Sequence, residues 1–188
     1  FFTKWGVVKA VDGISFQLHR GETLGIVGES GCGKSVTALS IMRLVPSPPG
    51  QIVGGRVMLE NDDVLQYGEG AMVNVRGARI AMVLQDPMTA LNPVFNIDDQ
   101  VGEALKIHKH LRARALKDRV IDMLRRVHIP APETRVSDYP HQFSGGMRQR
   151  VVGAIGISGD PAVLIADEPT TSLDATVQAQ YLRLLKEL

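Results

Sequence analysis

Thr23-Leu24-Gly25-Ile26-Val27-Gly28-Glu29-Ser30-Gly31-Cys32-Gly33-Lys34-Ser35 is the stretch on which the fold turns. Residues 23–27 form a short apolar run between glycines, the pattern of a strand buried on both faces. Residues 28–35 keep the spacing G-x-x-x-x-G-K-S. From Lys34 to Leu44 the apolar residues Val36, Leu39, Ile41 and Met42 recur at helical spacing, and Pro46-Ser47-Pro48-Pro49-Gly50 ends the run. A strand, a glycine loop and a helix in that order make a phosphate cradle. The glycines let several backbone N–H groups converge on phosphate oxygens. The helix start adds partial positive charge. Lys34 can reach the β- and γ-phosphates, and the Ser35 hydroxyl is a ligand for Mg²⁺. An unliganded glycine-rich turn is the competing reading, and the flanking strand and helix disfavour it.

Further along, Val163-Leu164-Ile165-Ala166 is a strand-like run that ends in Asp167 and Glu168. Beside a phosphate loop, Asp167 is placed at the strand's C-terminal edge to face the metal, and Glu168 to orient or deprotonate a water. Taken alone, the pair reads equally well as a solvated acidic turn. Phe143-Ser144-Gly145-Gly146-Met147-Arg148-Gln149 opens a helix with Ser144 as a natural N-cap. Two glycines there leave backbone N–H groups uncovered, which makes a second anion site. A second site is surplus for a simple kinase or GTPase, and it makes sense if it reaches the nucleotide of another subunit.

The remaining elements set the fold class. One or two antiparallel strands are predicted over Val7 to Leu18, with a turn at Asp12-Gly13. Arg56 to Glu60 and Ile80 to Leu84 read as further strands. Amphipathic helices are predicted from about Ile97 to Lys109 and Ala113 to Val127; in the second, Leu116, Val120, Met123, Leu124 and Val127 share a stripe. A helix over Met147 to Ile157 and another from Ala175 complete the pattern. Strands alternating with helices predict an α/β fold: a P-loop NTPase core with a mostly parallel sheet, an N-terminal antiparallel β subdomain and an inserted helical subdomain at about 87–139.

Together these residues resemble the ATP-binding subunit of an ABC transporter, along nearly the whole chain. Gly28, Glu29, Ser30, Gly31, Cys32, Gly33, Lys34 and Ser35 correspond to Walker A, and Val163 to Glu168 to Walker B. Ser144-Gly145-Gly146-Met147-Arg148 resembles the family signature, Ser172-Leu173-Asp174 the D-loop, and Gln85 the Q-loop glutamine. The wording around Gln85 (Leu84 to Pro93) and Tyr139 to Arg150 is similar to the oligopeptide/dipeptide/nickel importers. The resemblance implies ATP and Mg²⁺ as cofactors. It places Ser35, Gln85 and Asp167 at the metal and Glu168 with Gln85 at the hydrolytic water. In the opposing subunit, Ser144, Gly145, Gly146, Met147 and Asp174 would meet the nucleotide. Phe2 is a candidate for the aromatic that stacks on adenine, with Phe1 and Trp5 as competitors. It further implies a second ATPase subunit, like or homologous, two transmembrane permease subunits, an extracytoplasmic solute-binding protein acting indirectly, and a place on the cytoplasmic face of the membrane. A soluble ABC-type ATPase acting on DNA or ribosomes is the runner-up, and a plain P-loop kinase has no use for Ser144-Gly145-Gly146.

Composition narrows the choice. The chain has 188 residues, 44% hydrophobic and 22% charged, which argues against disorder. Its net charge of +1, from 21 basic and 20 acidic residues, gives no broad footprint for nucleic acid. A single cysteine excludes an internal disulfide, and Cys32 is read as a small loop residue rather than a redox centre. The basic face of Arg112 to Arg126 is read as solvated, and His108, His110 and His128 lack metal-ligand spacing. The family's γ-phosphate histidine follows a strand beyond the D-loop helix. All five histidines here precede Walker B. With Phe1 at the start and a helical pattern running to Leu188, the expectation is a piece of a longer polypeptide.

Overall fold

The computed structural model describes residues 1–84, 90–171 and 173–188. The chain divides into two units, 1–73 and 74–188.

The first unit opens with a hairpin of β1 (Phe2–Thr3) and β2 (Gly6–Val7), paired antiparallel as Phe2↔Val7 and Thr3↔Gly6. The Thr3 hydroxyl closes the turn by donating to Gly6 O at 2.8 Å. The Phe2 N–H donates to Pro49 O at 2.9 Å, tying the hairpin to the proline-rich loop. Helix α1 (Lys34–Ile41) follows the phosphate loop and buries Thr37 and Ala38. A second hairpin, β3 (Met58–Leu59) with β4 (Asp62–Asp63), turns through Glu60 in the left-handed region at φ 58. Asp63 accepts from the N–H groups of Val57 and Leu65, each at 3.1 Å. The Val57 hydrogen bond is the first cause holding its carboxyl below the usual range. The Arg43 guanidinium donates to Tyr67 O and to Glu69 at 3.2 Å, anchoring the start of α2 (Glu69–Val73).

The second unit is built on the parallel pair β5 (Ile80–Val83) and β6 (Val163–Ala166), in register Ile80↔Val163 through Val83↔Ala166. Helix α3 (Ile97–Lys109) starts where Asn96 Oδ1 accepts the Asp99 N–H at 2.8 Å. Asp98 and Asp99 lie in its first turn and Lys106, His108 and Lys109 in its last, matching the helix dipole. Helix α4 (Ala113–Arg126) buries Leu116, Val120, Met123 and Leu124, the stripe read from the sequence. A short helix α5 (Pro132–Arg135) leads to α6 (Gly145–Ser158), and α7 (Ala175–Glu187) ends the fold. The core runs through Val83, Ile97, Val101, Leu105, Val120, Met123, Val151 and Ala154. Gly156 lets α6 lie on the strand pair: a β-carbon there would meet Val83 Cγ2 at 3.1 Å and Leu164 Cδ1 at 3.3 Å. Asp160, between α6 and β6, collects Lys109 at 3.3 Å, Arg119 at 3.3 Å and Arg126 at 3.9 Å, so both amphipathic helices are tethered to the approach to β6.

Several elements depart from the sequence expectation. Residues 23–27 form no strand among the described residues; Val27 is 93% exposed. A strand buried on both faces depends on neighbours to take its N–H and C=O groups, and this run has none of those ladders. The N-terminal antiparallel pair lies at 2–7 rather than within Val7 to Leu18. Strand β6 is half-buried rather than buried. Helix α1 stops at Ile41, because Arg43 takes a left-handed φ of 52.

Candidate functional site

The phosphate loop lies in the first unit. Gly31 and Gly33 adopt φ 80 and 97, and Gly33 is the residue from which α1 starts. Gly33 is required twice over. Its backbone is left-handed, and a β-carbon would come 2.4 Å from Ala10 O. Thr37 returns to the same residue, its N–H and hydroxyl donating to Gly33 O at 2.8 and 2.9 Å. The Cys32 N–H donates to Glu29 O at 3.3 Å, and the Cys32 side chain fills the space a Gly28 β-carbon would take. Lys34 folds over the loop, with Nζ donating to Gly28 O at 2.8 Å and Glu29 O at 2.9 Å. The ammonium therefore sits at the mouth of the loop, where the α1 N-terminus points. Ser35 follows in the first turn of α1, half-buried, and Ser30 lies in the exposed turn of the loop. Phe2 is 52% exposed on β1, and Trp5 is more exposed still, at 86%.

The carboxylates and the signature segment lie in the second unit. The Asp167 N–H donates to Val83 O at 3.0 Å, extending the parallel ladder by one residue. This puts Asp167 at the C-terminal end of β6, half-buried, with Glu168 exposed beside it. Glu168 takes φ 44, a left-handed conformation that strains a residue carrying a side chain. The Thr171 hydroxyl lies 3.2 Å from both the Glu168 carbonyl and its Oε2. Thr171 is the contact that sequence reading missed: nothing in its type or spacing marks it, and it emerges once the turn brings it back to Glu168.

Ser144 caps α6, its hydroxyl accepting the Met147 N–H at 3.4 Å. Gly145 is open to solvent, and Gly146 packs against α7, where a β-carbon would meet Val177 Cγ1 at 3.0 Å. Arg148 Nε donates to Phe143 O at 2.9 Å, fixing the entry to the helix. The Arg135 guanidinium lies over the Phe143 ring at 5.7 Å. Asp174 caps α7 by accepting the Thr176 and Val177 N–H groups, both at 3.0 Å. The signature helix α6 thus packs against the first turn of α7, the helix that Asp174 caps. Gln85 and Ser172 lie outside the described residues. Among those described, no group of three or more His, Cys, Asp or Glu residues is arranged to hold a metal, and no helix is long and apolar enough to cross a membrane.

Comparison with known proteins adds to this geometry. The family profile described as ABC transporter matches residues 11–171. The chain is 53% identical, over its full length, to 56% of the dipeptide transport ATP-binding protein DppD of Bacillus subtilis. It is 51% identical, again over its full length, to 52% of the oligopeptide transport ATP-binding protein OppD of the same organism. The chain thus spans about half the length of these relatives. Among solved structures, the ATP-binding cassette MJ0796, in a dimeric post-hydrolysis state bound to ADP and Pi, superposes with a TM-score of 0.80. That match is 26% identical and covers 95% of this chain and 74% of the other. CbiO1 of Clostridium perfringens, part of the ABC transporter complex cbiONQ, gives 0.79 at 28% identity, with 95% and 66% covered.

Proposed function

This chain belongs to the ABC transporter family, and from that premise we propose that it is the ATP-binding and ATP-hydrolysing part of a subunit that powers import of peptides. The observation that carries the reading is 53% identity along the whole chain to a dipeptide transport ATP-binding protein. The loop supports it chemically. Gly28 to Ser35 present backbone N–H groups and a helix N-terminus to the triphosphate, with the Lys34 ammonium at the mouth. The Mg²⁺ donors fit a hard cation, since Ser35, Gln85 and Asp167 offer only oxygen. When bound, the ion neutralises charge on the phosphates.

Glu168 is the general base. Its carboxylate, steadied by Thr171, takes a proton from the attacking water. Ser144, Gly145, Gly146, Met147 and Asp174 serve the nucleotide of a second ATPase subunit, so two sites form when two subunits close face to face. Phe2 is the candidate to stack on the adenine, with Phe1 and Trp5 as its competitors. The helical block at about 87–139 and Gln85 pass the motion to two permease subunits at the cytoplasmic face of the membrane, and an extracytoplasmic binding protein supplies the solute.

The test is the full-length subunit reconstituted in vesicles with its permease and binding protein. Phosphate release should rise when peptide-loaded binding protein is supplied, and should vanish with Lys34→Ala. Stimulation by nickel-loaded but not peptide-loaded protein would reassign the solute. Undiminished turnover in Lys34→Ala would overturn the site.

A further inference from the structure

Helices α6 and α7 meet in a ladder that extends inward from the signature segment. At its outer rung Gly146 faces Val177; seven residues further along α6 and four along α7, Gly153 faces Tyr181. Both spacings keep the contacts on one face of each helix. Arg150 flanks the ladder, donating to Gln180 Oε1 at 3.3 Å and to His128 O at 3.0 Å.

The inner rung carries a polar group with no evident packing role. Tyr181 is 1% exposed, and its hydroxyl lies 3.0 Å from where a Gly153 β-carbon would stand. Gln149, fully buried, lies on the signature helix beside it. Among the described residues, the Tyr181 hydroxyl and both polar atoms of the Gln149 amide have no hydrogen-bond partner. Burial raises the phenol pKa to about 12, while the Gln149 side chain, its polar neighbour, opposes the rise without closing a normal hydrogen bond. Unsatisfied groups are costly in a core, so stability alone does not account for a tyrosine here. Their geometry does: the phenol enters a slot that exists because residue 153 has no side chain.

We propose that Tyr181, seated on Gly153 with Gln149 beside it, is a positioning residue that sets the register of α7 against the signature helix. Asp174 caps α7 seven residues before Tyr181, so register at the inner rung fixes where Asp174 stands relative to Ser144. This inference rests on the proposed ATPase reading, because a register error is felt in the closed pair of subunits and not in one subunit's hold on nucleotide.

The experiment uses the full-length subunit in its assembled transporter, with Gly153→Ala, Tyr181→Phe and the double variant. Alanine is the better helix former, which offsets the crowding of the phenol, so Gly153→Ala should keep a thermal midpoint close to that of the wild type. Its β-carbon must push the phenol by a few tenths of an ångström. Since a 1 Å misplacement can cost about 100-fold, kcat should fall about fivefold with KM for ATP unchanged. Tyr181→Phe removes the crowded atom, so the double variant should recover most of the lost kcat. Unchanged kcat in Gly153→Ala, or a loss that Tyr181→Phe does not relieve, would overturn the inference and leave the ATPase reading intact. A wild-type assembly without ATP turnover would overturn both.

Discussion

Gly33→Ala is the substitution against which the phosphate loop can be tested most directly. At φ 97 and ψ 7 the residue is left-handed, which costs a residue with a β-carbon about 1–2 kcal/mol. The added carbon would also stand 2.4 Å from Ala10 O, a backbone atom that cannot turn away. Overpacking of that kind costs about 1–3 kcal/mol more. Even the lower sum, about 2 kcal/mol, weakens nucleotide binding roughly 30-fold if the loop must hold this shape to bind. Two neighbours supply the calibration. Gly31 has φ 80 but open space around it among the described residues, so Gly31→Ala carries the strain of about 1–2 kcal/mol alone and should lose about 5- to 30-fold, less than Gly33→Ala. Gly25 has neither a left-handed backbone nor a neighbour within 4 Å, so Gly25→Ala should bind within about twofold of the wild type. The assay is calorimetric titration of the full-length subunit with MgATP, with a thermal melt of each variant to exclude unfolding. Equal affinity in Gly33→Ala and Gly25→Ala, or equal damage at positions 31 and 33, would refute the reasoning.

Glu168→Gln should stop phosphate release while leaving MgATP affinity within a few-fold, since it removes only the basic oxygen; near-normal turnover would exclude Glu168 as the base. Thr171→Val, which deletes the donor at 3.2 Å from Oε2, should lower kcat about three- to tenfold with little change in KM, measured by steady-state phosphate release. Asp174→Ala removes the acceptor of two N–H groups at the start of α7 and should cost about 1 kcal/mol, read from the denaturant midpoint at pH 7. Tyr181 has its folded pKa raised from 10.0 to about 12, so the phenol contributes stability that is full below pH 10 and is lost as pH rises towards 12. That loss is on the order of 2–3 kcal/mol and should be missing from the alkaline melting profile of Tyr181→Phe.

Local physics made much of this legible. The stripe from Leu116 to Met123 fixes one face of a helix without help from the rest of the chain, and α4 formed over Ala113–Arg126 as that stripe requires. Ser144 and Asp174 are capping types placed just before helical patterns, and both cap. The loop motif carries its own geometry, since left-handed backbone at Gly31 and Gly33 is what those glycines permit. Residues 23–27 show the opposite case. Their apolar run expresses a preference, but a strand exists only when another strand takes its hydrogen bonds, and no local pattern can supply that. Thr171 against Glu168 and Val177 against Gly146 were unreadable for a related reason: each contact depends on where a turn or a neighbouring helix delivers the second partner.

The contacts of Lys34 make nucleotide arrival an exchange. Its ammonium already donates to the carbonyls of Gly28 and Glu29. An anion that takes those two donors displaces the carbonyl oxygens, so from them it gains only the difference between the old partners and the new. A chloride or a lone carboxylate offers few contacts in return. A triphosphate offers several oxygens at once, to the lysine and to the loop N–H groups together, and wins by number. On the proposed ATPase reading, the resting loop sets a threshold on how many contacts a ligand must make, and it does so without any steric gate.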